Sequence, residues 1–337
     1  MPDIITIKAH PLKLESSSFV AERNVSRMTS LNWRRWRKTG LGGTDSASIL
    51  FPNDWAGPLT VYFDKLTPLV ADDGEINWVL DFGNFMEDPM RNSILPTFLV
   101  RRGLRIDQFR IYSSPWGYRS TELPWMICNV DGFIEFPGDV LLTDGTFIPA
   151  GLYILELKTA IFSKKDDWAD GATPDRYYAQ GQHYTRGMKL AGACVFVMIG
   201  NMPEFRFIEA NAPFHKLIEE TGTQAWREIQ DRTPPDAFGG DSDLRLVRSL
   251  YPVGGETAKP FRGLLEHVEI YADAVKRKKA AEADIKAGKA FFMSEIGEAS
   301  GLVDGDTGVK WTRGVNKSGR PINRLSVRMN GKEEEEE

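Results

Sequence analysis

The run Tyr153-Ile-Leu-Glu156-Leu-Lys158-Thr159 sets a carboxylate and an ammonium two residues apart among apolar neighbours. In a β-strand that spacing puts Glu156 and Lys158 on one face, their Cα atoms about 6.6 Å apart, with Tyr153, Leu155 and Leu157 on the other. Both polar groups then reach a common water. The same spacing also serves an ordinary ion pair, and Asp284-Ile-Lys286 has it within a polar Ala/Lys/Glu stretch. A second acid, Asp131 in Met126-Ile-Cys-Asn-Val-Asp131-Gly-Phe-Ile134, lies in another apolar run 25 residues earlier. An unpaired carboxylate is costly to bury, so an acid there needs a cation, a metal or a set of donors, unless Asp-Gly marks a hairpin turn.

A third acid, Glu87, follows Gly83 by one helical turn, so the helix surface beside it lacks a side chain and admits close approach. The alternative is an ordinary exposed glutamate. In Tyr177-Tyr178-Ala-Gln180-Gly-Gln182-His183-Tyr184, a helix puts Tyr177, Gln180, Tyr184 and Met188 on one stripe, which makes Gln180 the polar member of an inward face. Its amide either bonds within the core or holds a water or phosphate in a cleft. Glu87, Asp131, Glu156 and Lys158 together are hard oxygen donors plus one cation, suited to Mg²⁺ or Mn²⁺ and phosphate chemistry. Rival chemistries find no support. The histidines at 10, 183, 215 and 267 lack metal-ligand spacing, no Gly-x-Ser-x-Gly occurs, and Gly40-Leu-Gly-Gly43 lacks the Lys-Ser/Thr ending of an NTPase phosphate loop.

These residues need elements to carry them. Apolar spacing predicts helices over 77–103, kinked or split at Pro89 and Pro96, from Thr173-Pro174 to Leu190, and over 212–230. Strands are predicted at 105–113, 125–136, 152–159, 193–199 and 205–210. Upstream, Asn32-Trp-Arg34-Arg35-Trp-Arg37-Lys38 packs four cations around two tryptophans. Gly40-Leu-Gly-Gly-Thr44-Asp45 then enters a helix with Thr44 or Asp45 as its cap, a candidate anion site.

The order helix-Glu, strand-Asp, strand-Glu-x-Lys, helix-Gln resembles the PD-(D/E)xK nuclease superfamily. More narrowly, residues 32–200 resemble the lambda-exonuclease-like (YqaJ-type) viral recombinase family. Trp33, Arg37 and Gly40-Leu-Gly-Gly-Thr44-Asp45 are similar to its amino-terminal signature, with threonine where serine is more usual; Asn129-Val-Asp131-Gly, Glu156-Leu-Lys158 and Ala179-Gln180 are similar to its later motifs. Two departures stand out: Pro89 follows Glu87 by two residues instead of one, and only Glu122 lies near the extra acid of some relatives.

The resemblance implies an α/β (α+β) fold, a mixed sheet flanked by helices in a restriction-endonuclease-like core, with a helical and β-hairpin C-terminal extension. It implies two-ion Mg²⁺ (or Mn²⁺) hydrolysis of DNA. Asp131, Glu156 and the Leu157 carbonyl would hold one ion and Glu87 would complete the site or support a second. Lys158, its pKa lowered by desolvation, would orient or deprotonate the attacking water, and Gln180 would position it. Arg37 and Thr44 would grip a terminal 5′ phosphate, with Arg34, Arg35, Lys38 and Tyr184 as further DNA contacts. The implied enzyme is a 5′-to-3′ exonuclease, a ring-shaped homotrimer, with a single-strand annealing protein as partner. A nicking or structure-specific endonuclease is one alternative. A non-catalytic DNA-binding accessory is the other, supported by the basic segment 307–332 with Lys310, Trp311 and Arg313.

The chain of 337 residues, 42% hydrophobic and 26% charged, has the balance of a folded protein with a substantial core, which excludes disorder and fibres. Its net charge of −5 resides in the glutamates at 333–337; without them acids and bases balance at 42 each, so attraction to nucleic acid must be local. Cys128 and Cys194 sit in apolar runs and read as buried free thiols. With neither an 18-residue apolar span nor a secretion signal, the expected location is the cytoplasm, away from membranes. The organisation expected is an arm at 1–30, a nuclease core at 31–235, a helical extension at 236–300, a basic hairpin at 301–332 and an acidic tail at 333–337.

Overall fold

A computed structural model describes residues 4–24, 30–69, 77–254, 263–315, 321–329 and 332–335. The chain divides into two compact units, Met1–Val253 and Gly254–Glu337. The first begins with β1 (His10–Pro11) and β2 (Phe19–Asn24), then the helices α1 (Ser30–Arg37), α2 (Gly43–Leu50), α3 (Pro58–Leu66), α4 (Trp78–Pro89) and α5 (Leu95–Arg101). The strands β3 (Arg110–Ser113), β4 (Trp116–Ser120), β5 (Ile127–Asn129), β6 (Gly132–Phe136), β7 (Val140–Leu141), β8 (Phe147–Ile148) and β9 (Gly151–Ala160) follow. It closes with α6 (Asp175–Met188), β10 (Gly192–Ile199), β11 (Met202–Glu209), α7 (Ala212–Asp231) and α8 (Asp241–Leu250).

The central sheet runs β1-β3-β6-β9-β10-β11 and is mixed: β9 pairs antiparallel with β6 and parallel with β10. A parallel neighbour requires a crossover, and α6 provides it across one face. On that face Ile154 packs with Tyr184, Met188 and Phe133. On the other, Leu155 and Leu157 pack with Leu95, Phe98 and Leu99 of α5 and with Phe196. β9 is therefore apolar on both sides, as a central strand is, and Glu156 is the exception to that rule. Burying each such Phe or Leu contributes roughly 1.5–3 kcal/mol.

Three expectations change. The predicted strand 125–136 is two strands in two sheets: β5 joins β4 and β2, whereas β6 joins the central sheet. Val130 and Asp131 form the step between them, so Asp131 stands at a strand start, not within a strand or a hairpin. Within the expected arm, residues 4–24 are built into the sheets: β1 pairs with β3, β2 pairs with β4, and Phe19 is buried against Tyr118. Their strands are too short for periodicity to reveal. Finally, α2 is capped by Gly42, whose N–H donates to Asp45 Oδ2 at 2.7 Å, so Thr44 and Asp45 lie in its first turn. Pro89 does bend the predicted helix: a π-helical turn, Met90–Ile94, joins α4 to α5. Both cysteines are buried and free.

In the second unit α9 (Leu265–Ile296) is largely exposed, as its Ala/Lys/Glu composition predicts. An antiparallel sheet of β12 (Gly301–Asp304), β13 (Thr307–Val315), β14 (Pro321–Met329) and β15 (Lys332–Glu335) packs Val309 and Leu325 onto Ile296. β13 and β14 form the expected hairpin; its turn at 316–320 lies outside the described residues. Of the expected acidic tail 333–337, residues 333–335 pair with β14.

Candidate active site

Glu156 projects from β9 toward α6 and is 1% exposed. Two donors share one of its oxygens: Lys158 Nζ at 2.7 Å and Gln180 Nε2 at 2.9 Å both donate to Oε2. Its other oxygen, Oε1, is buried without a hydrogen-bond partner among the described residues. Asp131 reaches the same place from the step before β6, where its Oδ2 accepts the Leu157 amide at 2.7 Å and lies 3.7 Å from Lys158 Nζ. Glu87, on α4, completes the group. Arg91 ties it in, with one guanidinium nitrogen 3.7 Å from Glu87 Oε2 and donating to the Asp131 carbonyl at 2.9 Å. A cavity of about 560 Å³ opens here, lined by Trp55, Gly83, Glu87, Asp131, Lys158 and Thr159 among others. A Cβ on Gly83 would meet only Thr159 Oγ1, at 3.9 Å, so the expected open approach beside Glu87 is present.

Three acids facing one ammonium carry excess negative charge. Burial, and then the charge of Asp131, pushes Glu87 up to about 7 and Glu156 up to about 8. The expected lowering of the Lys158 pKa is overturned: burial does act to lower it, but Glu156 and Asp131 outweigh burial and hold the ammonium protonated, well above the usual lysine range. Lys158 thus stands as a hydrogen-bond donor. A divalent cation fits the donor set, since the orphaned Glu156 Oε1 and two proton-retaining carboxyls are oxygen ligands short of positive charge. Among the described residues no group of three or more His, Cys, Asp or Glu is drawn tightly enough to cage an ion. The fit is to an open site, the kind Mg²⁺ takes with one or two carboxylates, waters and substrate phosphate.

The second predicted cluster lies at the start of α2, which packs on α6 closely enough that a Cβ on Gly43 would come within 2.8 Å of both Gln180 and Tyr184. Arg37 donates to Thr44 Oγ1 at 3.0 Å, lies 3.5 Å from Asp45 and covers the Trp33 ring. Thr44 is exposed. The neighbouring cations diverge: on α1 Arg35 is exposed and bonded to Asn32 and Arg34 is half-buried, while Lys38, just after the helix, turns to Asp64. Tyr184 is buried behind Gln180, which donates to its hydroxyl at 3.3 Å. In the second unit Arg313 caps the end of α9 by donating to Gly297 and Ala299 carbonyls and stacks on Trp311, whose indole donates to Asn323; Lys310 is exposed. Glu122 is paired with Arg186 and Lys189, away from the acids.

Sequence reasoning missed two supporting residues, Arg91 and Lys65, and the pairing of Lys65 with Asp45. Arg91 had a signal, standing three and four residues after Asp88 and Glu87. The pairing of Lys65 with Asp45 had none, the two being 20 residues apart. Lys65, with a side chain 1% exposed, donates to Asp45 Oδ2 at 2.7 Å and to the Arg37 carbonyl at 3.0 Å. Burial alone would raise the Asp45 carboxyl, but Lys65 and Arg37 hold it below the usual range. His183 is likewise structural, bonded to Ser46 Oγ at 2.7 Å and facing the Ile127 carbonyl at 3.0 Å.

The fold is a mixed α/β sheet flanked by helices, with Asp131 and the α6 glutamine Gln180 brought up to Glu156 and Lys158 on its central strand. Residues 32–187 match the YqaJ-like viral recombinase domain. The uncharacterized protein YqaJ of Bacillus subtilis (strain 168) is 25% identical over 206 residues, which span 60% of this chain and 57% of that relative. The crystal structure of an alkaline exonuclease (LHK-Exo) from Laribacter hongkongensis aligns with a TM-score of 0.40 at 12% identity, covering 65% of this chain and 98% of that one. Its complex with dAMP aligns with a TM-score of 0.42 at 11% identity over the same shares. Among the described residues no helix is long and apolar enough to cross a membrane.

Proposed function

We propose that the protein is a Mg²⁺-dependent 5′-to-3′ exonuclease acting on duplex DNA ends in a phage-type recombination system, leaving a 3′ single strand. The observation that carries this reading is the buried Glu156 carboxylate, held on one oxygen by Lys158 and Gln180, without a hydrogen-bond partner on the other among the described residues, and facing Asp131 beside a cavity. Asp131, Glu156, the Leu157 carbonyl and Glu87 would hold one or two Mg²⁺ or Mn²⁺ ions. When bound, these polarise the scissile phosphoryl group and stabilise the leaving oxygen. Lys158, kept protonated by its acids, donates to and orients the attacking water or the phosphate oxygen it approaches. Gln180 fixes the same oxygen of Glu156 and limits where that water can sit.

Arg37 and Thr44 grip the terminal 5′ phosphate through a guanidinium, a hydroxyl and the first amides of α2. A strand held by its end presents its first internal phosphodiester to the acids, which makes the enzyme depend on ends. The homotrimeric ring and the annealing partner implied by the resemblance belong to the same reading. The test is digestion in Mg²⁺ of a linear duplex with 5′ phosphate, the same duplex with 5′ hydroxyl, and a covalently closed circle. Rapid loss of the first, slower loss of the second and survival of the circle are expected. Cleavage of the circle would make the protein an endonuclease with this core.

A further inference from the structure

Arg176 lies in the first turn of α6. Arg37, Arg91, Arg119, Arg186 and Arg206 are all partly covered, and each lies on a carboxylate. Arg176 is half-buried as well, yet no carboxylate pairs with it among the described residues. It donates to the Ser48 hydroxyl at 3.1 Å, and its Nε is buried with no hydrogen-bond partner among the described residues. A cation removed from water without a counter-ion is unfavourable, and folded chains ordinarily pair it.

Two relationships say what the missing anion is. Ser48 stands one helical turn after Thr44 on α2 and donates to its carbonyl at 2.9 Å, so Arg176 is anchored on the turn that carries the Thr44 hydroxyl. Arg176 also precedes Gln180 by four residues on α6, which makes the two neighbours on the helix surface. Gln180 in turn donates to Glu156. Gly43, beside Thr44, packs against Gln180, so Arg176 stands one turn of α6 from the residue that meets the start of α2.

We propose that Arg176 is a second guanidinium ligand of the terminal 5′ phosphate, acting with Arg37. The proposal rests on the reading of Arg37 and Thr44 as the terminal-phosphate pocket. A terminal phosphate carries about two negative charges at neutral pH and an internal diester only one, so two guanidiniums prefer an end over an internal position more strongly than one does. Ser48 holds Arg176 in place until the phosphate arrives, and the unpartnered Nε is a donor ready for one of its oxygens.

The experiment measures binding of labelled 5′-phosphorylated and 5′-hydroxyl duplexes, with Ca²⁺ in place of Mg²⁺ to slow cleavage, for wild type, R37Q, R176Q and R176K. Circular dichroism melting accompanies each variant. The expected result is a wild-type preference for the phosphorylated end that falls about tenfold in R176Q and in R37Q. R176K should recover part of the preference, and affinity for the hydroxyl end should change little. A preference lost in R37Q but intact in a folded R176Q overturns the role of Arg176 alone. A wild type that binds both ends equally overturns the terminal-phosphate pocket, and the proposal with it. Equal loss of affinity for both ends in R176Q overturns the proposal by making Arg176 a general backbone contact.

Discussion

The Leu157 amide donates to Asp131 Oδ2 at 2.7 Å, and this bond holds the acid at the step before β6 against the middle of β9. The same oxygen lies 3.7 Å from the Lys158 ammonium. Asp131 is thus oriented by backbone, and its charge is what remains for chemistry. Replacing it by asparagine keeps an oxygen for the amide and removes the charge. D131N should fold with near wild-type stability and lose activity about 10²-fold or more, read from single-turnover digestion beside a urea melt. Retained activity would remove Asp131 from the chemistry.

Protons and divalent cations compete for this site. Burial and then the charge of Asp131 raise Glu87 to about 7 and Glu156 to about 8, both above their values of 4.5 without these effects. An acid raised on folding stabilises the folded state fully below its unfolded pKa, and that stability is lost as pH rises through the folded one. Metal-free protein should therefore lose this contribution between about pH 4.5 and 8, and Mg²⁺ should restore more of it near pH 8 than near pH 6. His183 acts in the opposite sense: burial lowers it to about 4, so its contribution is present above 6.5 and is lost as pH falls toward 4. Reading the shift in Tm with and without Mg²⁺ at each pH isolates the carboxylates. A shift independent of pH would contradict the account, and E156Q should flatten it.

The parts of the site that were legible in the sequence are those where a polar residue interrupts a regular apolar pattern. Glu156 and Lys158 alternate against Leu155 and Leu157, and the two faces of β9 follow that alternation. Gln180 interrupts the stripe of α6 in the same way. Illegible were contacts made across the chain. Nothing in 125–136 separates β5 from β6, because both are apolar and the break exists only where two sheets diverge. Lys65 carries no signal in the sequence, yet its ammonium is enclosed between Asp45 and the Arg37 carbonyl.

That enclosure sets the third prediction. Removing one partner of a buried ion pair leaves the other charge uncompensated, at about 3–5 kcal/mol. K65M should lower stability by that order in urea denaturation, and the paired change K65M with D45L should be milder than K65M alone. Equal losses would show that Lys65 and Asp45 do not act as a pair.

Close packing of α2 on α6 gives the fourth. The Cβ of a Gly43→Ala variant would come within 2.8 Å of Gln180 Cγ and Tyr184 Cζ, with no change of backbone conformation required. Overpacking of this kind costs about 1–3 kcal/mol, and relief by moving Gln180 would displace its bond to Glu156. G43A should lose stability and turnover together, while G138A, where a Cβ meets nothing within 4 Å, should lose neither. Unchanged turnover in G43A would place Gln180 outside the reaction.

The central claim is that Glu156, with Asp131, Glu87 and Lys158 about it, cleaves phosphodiesters with a divalent cation. The most direct measurement is single-turnover digestion of a 5′-phosphorylated linear duplex in Mg²⁺ by wild type and by E156Q, which keeps the shape of the side chain. The account predicts rapid digestion by wild type, none in chelator, and a rate about 10³-fold lower for a folded E156Q. Digestion by E156Q at the wild-type rate, or by wild type with the cation removed, would contradict it.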